Sequence, residues 1–133
     1  MLGYHYESET QRRFRVYCSR VASTLGCYQQ PFVSDPASQE RRKRVAFNLN
    51  VGCMARARWV RVEVEVDTET VSQEDLTEEV RARLIRQLIR TADELEPRSV
   101  TDTRIADEMR RCNTAAARLR AGQSEEAQRK RWY

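Results

Sequence analysis

Residues 45–67 read VAFNLNVGCMARARWVRVEVEVD, and two alternating patterns within them define a β-hairpin. In the first, Val45, Phe47, Leu49 and Val51 share one face and Ala46, Asn48 and Asn50 the other, the period-2 pattern of a half-buried strand. In the second, Val60, Val62, Val64 and Val66 point one way while Trp59, Arg61, Glu63, Glu65 and Asp67 point the other. The β-branched residues of that run suit a pleated surface. Gly52, Cys53, Met54 and Ala55 are left to form the turn, a length within the usual hairpin range.

Such a turn predicts a register. Val51 falls opposite Arg56, Leu49 opposite Arg58, Phe47 opposite Val60 and Val45 opposite Val62, so the apolar faces largely coincide, as a one-residue slip would not allow. Carried outward, the ladder sets Arg44 opposite Glu63 and Arg42 opposite Glu65. The basic run Arg41-Arg42-Lys43-Arg44 then faces an acidic strand end, each cross-strand pair contributing about 0.2–1 kcal/mol. Taken alone, the same run resembles a nuclear-localisation or nucleic-acid-binding cluster.

On the N-terminal side, Glu9 to Leu25 has Phe14, Tyr17, Cys18, Val21, Ala22 and Leu25 at helical spacing, with Gly26 as a C-terminal stop. Phe14, Val16 and Cys18 also alternate, so a strand from Arg13 to Val21 is the competing reading; the helix is preferred. Gln29 to Gln39 contains Pro31, Ser34, Asp35, Pro36 and Ser38 and reads as a long exposed connection.

On the C-terminal side, Ser72 opens the strongest helix, with Asp75 three residues later in place of the usual capping-box glutamate. Leu76, Val80, Leu84, Ile85, Leu88, Ile89, Ala92 and Leu95 form its apolar stripe, and Pro97 is expected to end it. Glu74, Asp75, Glu78 and Glu79 precede Arg83, Arg86 and Arg90, the order the helix dipole favours. A last helix is expected from Thr101 or Asp102 to about Ala121, closed by Gly122. Its Ile105, Met109, Cys112, Ala116 and Leu119 form a narrow seam suited to helix-on-helix packing, within the chain or against a second copy. The predicted architecture is α+β: an N-terminal helix, an antiparallel sheet based on the hairpin, and two C-terminal helices. The predicted boundaries are a single domain over residues 1–122 and a polar, basic tail over 123–133 ending in Trp132 and Tyr133.

Composition narrows the chemistry. The chain has 133 residues, a third of them charged, and a formal net charge of +4. Residues 1–61 hold 11 basic and 4 acidic side chains, whereas 62–133 hold 13 basic and 16 acidic ones. A basic half beside an acidic half fits either a polyanion-binding face or internal complementarity. Lys43 and Lys130 are the only lysines, and arginine's planar fork suits phosphate or carboxylate partners. A GC-rich coding sequence would produce the same preference.

No run approaches the roughly 18 apolar residues of a membrane span, and the first residues do not read as a signal peptide. An intracellular, cytoplasmic location is therefore expected, with the nucleus allowed by the basic run. Cys18, Cys27, Cys53 and Cys112 are then expected as reduced thiols, and their wide spacing does not suggest a metal site. No cofactor is implied. With one histidine, His5, and four glycines, the sequence assembles neither a nucleophilic triad nor a glycine-rich phosphate loop, and no catalytic residues are assigned.

Nucleic-acid binding, with RNA favoured, is the leading expectation. The exposed hairpin face would carry Asn48, Asn50, Trp59 and Arg61, with Arg56 and Arg58 near the turn, an aromatic beside guanidiniums as a platform for bases or a sugar-phosphate backbone. Arg12 and Arg13 of the first helix would add charge, as would Arg41, Arg42 and Arg44 if the acidic strand leaves them available. The alternative is a protein-interaction adaptor or an assembly subunit. In that reading self-association would use Met109, Cys112 and Leu119 of the seam, or extend a sheet that is marginal with two strands alone.

Overall fold

A computed structural model describes residues 8–30, 41–53 and 55–132. The element order is α1 (Glu9–Leu25), β1 (Tyr28–Gln30), β2 (Arg42–Asn50), β3 (Trp59–Asp67), α2 (Gln73–Ser99) and α3 (Thr103–Trp132). The expected α+β arrangement is present. His5, most of the proline-containing connection, Met54 and Tyr133 lie outside the described residues.

The sheet has the order β1-β2-β3 and is antiparallel. Its third strand is Tyr28–Gln30, whereas the competing strand over residues 13–21 is helical. Reciprocal capping explains why α1 wins there: Gln11 N–H donates to Ser8 Oγ at 3.1 Å and Ser8 N–H donates to Gln11 Oε1 at 3.0 Å. Gly26 closes the helix at φ 70°, a left-handed conformation that favours glycine, and Cys27 N–H donates to Ala22 O at 3.0 Å. The chain is thereby turned directly into β1, which pairs Tyr28 with Asn48 and Gln30 with Ala46.

The hairpin register differs from the expected one by two residues. Val51 N–H donates to Arg58 O at 2.8 Å and Thr68 N–H to Arg41 O at 2.9 Å, so both ends of the ladder share one alignment. Val51 faces Arg58 rather than Arg56, and Arg44 faces Glu65 rather than Glu63. A two-residue shift keeps every side chain on its predicted face, which is why the alternation alone could not detect it. The turn is tighter than expected, with Cys53 bridging Arg56. Asn50 Oδ1 fixes it by accepting from Gly52 N–H at 2.9 Å and Arg58 N–H at 3.2 Å. Gly52 is required by space: a Cβ there would stand 2.2 Å from Arg56 O.

The chain divides into two compact units, one comprising Met1–Asn48 and Arg61–Val80, the other Leu49–Val60 and Arg81–Tyr133. The first unit buries Phe14, Cys18, Val21, Ala22 and Leu25 of α1, Val45, Phe47, Val62 and Val64 of the sheet, and Leu76 and Val80 of α2. Full burial of a side chain such as Phe47 contributes roughly 1.5–3 kcal/mol. The second unit buries Leu49, Val51 and Val60 of the hairpin, Leu84, Ile85, Leu88, Ala92 and Leu95 of α2, and Ile105, Cys112, Ala115, Ala116 and Leu119 of α3.

Both C-terminal helices start where capping chemistry places them and outrun their expected ends. Ser72 Oγ accepts from Asp75 N–H at 3.0 Å, and Asp102 Oδ1 accepts from Arg104 N–H at 2.9 Å. Pro97 does not stop α2 but sits in its last turn, where the Ser99 hydroxyl donates to Glu96 O at 2.6 Å. Gly122 does not close α3, which continues to Trp132. An interior glycine costs a helix only about 1 kcal/mol, and Arg81 of α2 holds the continuation through Glu126 at 2.5 Å. No helix among the described residues is long and apolar enough to cross a membrane.

Candidate functional site

In the first unit, three of the six predicted basic residues, Arg41, Arg42 and Arg61, are engaged with carboxylates. Arg41 makes a two-pronged contact with Asp67, Nη2 to Oδ2 at 2.8 Å and Nε to Oδ1 at 3.3 Å, and reaches Glu69 at 3.3 Å. These contacts raise the guanidinium's pKa; the Asp67 carboxyl is held below its ordinary value first by the Glu69 N–H and then by Arg41. Arg42 lies 3.7 Å from Glu65. Lys43 points the other way, into the core, and is 2% exposed. The basic run is thus divided between two faces of β2 and is partly paired with the acidic strand, the structural half of its sequence reading.

Arg61 is also engaged, with Glu63 at 3.0 Å and with Gln30 Oε1 at 2.7 Å. Arg12 and Arg13 are exposed on α1, and Arg44 is exposed on β2. These three make no ion pair among the described residues.

The second unit contains a more concentrated arrangement. Arg56 is exposed at the turn, whereas Arg58 turns inward and pairs with Glu108 of α3, a carboxylate whose side chain is only 9% exposed. Cys112, one helical turn further along α3, lies in the same neighbourhood: burial raises its thiol pKa, with Arg58 opposing that shift and Glu108 adding to it. Arg58 is therefore ion-paired within this unit, with a third of its side chain exposed. Trp59 keeps its predicted outward position at 52% exposure and stands across the ladder from Asn50.

Beside that point lies an open cleft of about 390 Å³ lined by Leu49, Asn50, Val51 and, from α3, Asp107, Arg110, Arg111, Thr114, Ala115 and Arg118. β1 pairs with β2 only as far as Asn48, so this wall of the cleft extends beyond the short strand. The cleft has two chemical zones. Leu49, Val51 and Ala115 are buried aliphatic residues, whereas Arg110, Arg111, Thr114 and Arg118 are polar ones at its rim. Asp107 accepts from Arg111 Nε at 2.9 Å and Arg110 Nη2 at 3.3 Å, and Arg111 Nη1 also donates to Gly52 O at 3.2 Å. Arg118 has no ion-pair partner among the described residues.

The cleft arginines were absent from the predicted site, although a signal for them existed. Asp107 and Arg111 are four residues apart, as are Arg110, Thr114 and Arg118, so they form a polar face on the helix that also carries the apolar seam. Of the predicted seam residues, Cys112 and Leu119 are buried within the chain and Met109 is half-buried, while Ala115 is buried beside them. The four cysteines are free thiols, three buried and Cys53 exposed. Comparisons with protein-family models, curated proteins and solved structures find no match.

Proposed function

We propose that this chain is a non-enzymatic nucleic-acid-binding domain that engages single-stranded nucleic acid, RNA in preference to DNA, through the turn end of the hairpin and the adjoining face of α3. The carrying observation is the open cleft bordered by Arg110, Arg111 and Arg118, against which Asp107 is the one lining carboxylate among the described residues. Guanidiniums around a concave surface favour phosphate by charge and by their planar donor geometry. The exposed Trp59 supplies a ring face for an unstacked base. Thr114 and the Asn50 side-chain amide offer hydrogen bonds to a ribose 2′-hydroxyl, the group that separates RNA from DNA. A cleft of this size suits individual nucleotides rather than the broad face of a duplex.

Relative to the sequence-based site, this assignment retains Arg56 and Trp59, adds Arg110, Arg111 and Arg118, and gives Arg58 a structural role. Fluorescence anisotropy with short single- and double-stranded RNA and DNA across a salt series tests it. Saturable binding to single strands should weaken at least tenfold in the combined Arg56→Ala, Arg110→Ala, Arg118→Ala variant. The salt slope should flatten by about 0.7 for each phosphate that the variant leaves unneutralised. Equal binding by that variant would refute the site, and no binding at low salt would leave the adaptor reading in its place.

A further inference from the structure

We propose that the cleft is a subsite for one nucleotide unit, with Asp107 as an internal counter-ion that the incoming phosphate replaces. This proposal rests on the nucleic-acid reading and assigns its chemistry residue by residue. The base lies against Leu49, Val51 and Ala115, and the phosphate is taken by Arg110 and Arg118.

Three differences among the arginines distinguish their roles. Arg111 is held at two points, by Asp107 and by the Gly52 carbonyl, and forms a fixed part of the wall. Among the described residues Arg110 is held by Asp107 alone, at 3.3 Å, with its side chain 71% exposed. Arg118, two helical turns from Arg110 on the same face, has no ion-pair partner among the described residues. Arg110 and Arg118 are consequently the two guanidiniums that can turn to an incoming anion with the least disturbance of existing hydrogen bonds.

The apolar zone argues for a nucleotide rather than a bare anion. Leu49, Val51 and Ala115, at 4%, 4% and 8% exposure, present a narrow aliphatic edge at the floor of the cleft, which phosphate alone has no use for and the edge of a base covers as its phosphate reaches the cationic rim. The volume of about 390 Å³ lies at the small end of ligand clefts, which span roughly 300–1,000 Å³. Asp107 carries the charge that a nucleotide phosphate brings and already contacts Arg110 and Arg111. Binding therefore exchanges one anion for another on Arg110, while Gly52 O keeps Arg111 in place.

Calorimetric titration of the full chain with adenosine 5′-monophosphate, uridine 5′-monophosphate, adenosine and inorganic phosphate, alongside a short single-stranded RNA, tests the assignment. At least one monophosphate should bind about tenfold tighter than adenosine or phosphate and should compete with the RNA. Arg118→Ala should weaken monophosphate binding about tenfold. Asp107→Asn should strengthen it about two- to fivefold, an effect opposite to that expected from simple damage to the fold. RNA binding without monophosphate binding would overturn the subsite while leaving the nucleic-acid reading intact; failure of both would overturn both. Equal affinity for phosphate and monophosphate would overturn the role of the apolar zone, and weaker binding by Asp107→Asn would overturn that of Asp107.

Discussion

Arg58 of the hairpin and Glu108 of α3 form an ion pair in which the carboxylate side chain is 9% exposed and the guanidinium 33%. Arg58 immediately precedes β3 and lies two residues before buried Val60, on the strand's inward parity, and α3 supplies the countercharge.

Removing Glu108 should therefore act on stability. Breaking a fully buried pair costs about 3–5 kcal/mol, and the partial exposure of Arg58 reduces that to about 2 kcal/mol for Glu108→Ala. Urea unfolding should show a lower midpoint with an unchanged slope. Arg58→Ala should be destabilising for the same reason, so weaker binding in that variant would not by itself identify a ligand contact.

Gly52 should tolerate no side chain. Gly52→Ala places a methyl group 2.2 Å from Arg56 O and 2.6 Å from Arg58 N, contacts made by backbone that cannot swing aside. A destabilisation of about 1–3 kcal/mol is expected, read as a fall in thermal midpoint. The turn carries Arg56, and its Gly52 carbonyl holds Arg111, so binding should weaken in parallel.

The Arg41–Asp67 contact predicts part of the acid sensitivity. Because the folded state holds the Asp67 carboxyl below its ordinary value, its stabilising contribution is present above the unfolded-state pKa and disappears as pH falls through the folded-state one. Asp67→Asn should be less stable than the wild type at neutral pH, and the difference should shrink as pH falls below the ordinary carboxylate range. Thermal melts across that range provide the check; a constant difference would contradict the linkage.

Thiol reactivity should separate the cysteines. Burial raises Cys18 to about 12 and Cys27 to about 11 and shifts Cys112 in the same direction, leaving these groups as protonated thiols at neutral pH. An aromatic disulfide reagent should modify one site rapidly in the native protein, and Cys53→Ser should abolish that phase.

The α3 seam should respond as core. Leu119 is 4% exposed, so Leu119→Ala should cost about 2–5 kcal/mol through the cavity it leaves. Light scattering should show the same mass for the variant and the wild type. A smaller mass for the variant would instead place Leu119 at an interface between copies.

Element types were legible in the sequence because they follow from short-range periodicity. The valines of β3, the stripe of α2 and the placement of Ser72, Asp102 and Gly26 each state a local preference that packing reinforces. The faces of the hairpin were legible too. Its register was not, since a shift by two residues preserves both faces and is settled by the hydrogen bonds of Asn50 and by the close approach at Gly52.

The candidate site was legible only in part, for a reason of distance along the chain. Sequence placed Arg56 and Trp59 at the hairpin end, and their exposure is a property of the strand and turn that carry them. The partner of Arg58 lies 50 residues away and the Arg111 contact to Gly52 spans 59, so no local pattern could show that one arginine pairs with a buried carboxylate while others border a cleft. Charge, alternation and capping are written residue by residue and determine the elements. Which guanidinium meets a carboxylate and which faces an open cleft is decided only when tertiary packing brings distant segments together, because an ion pair depends on separation in space rather than in sequence.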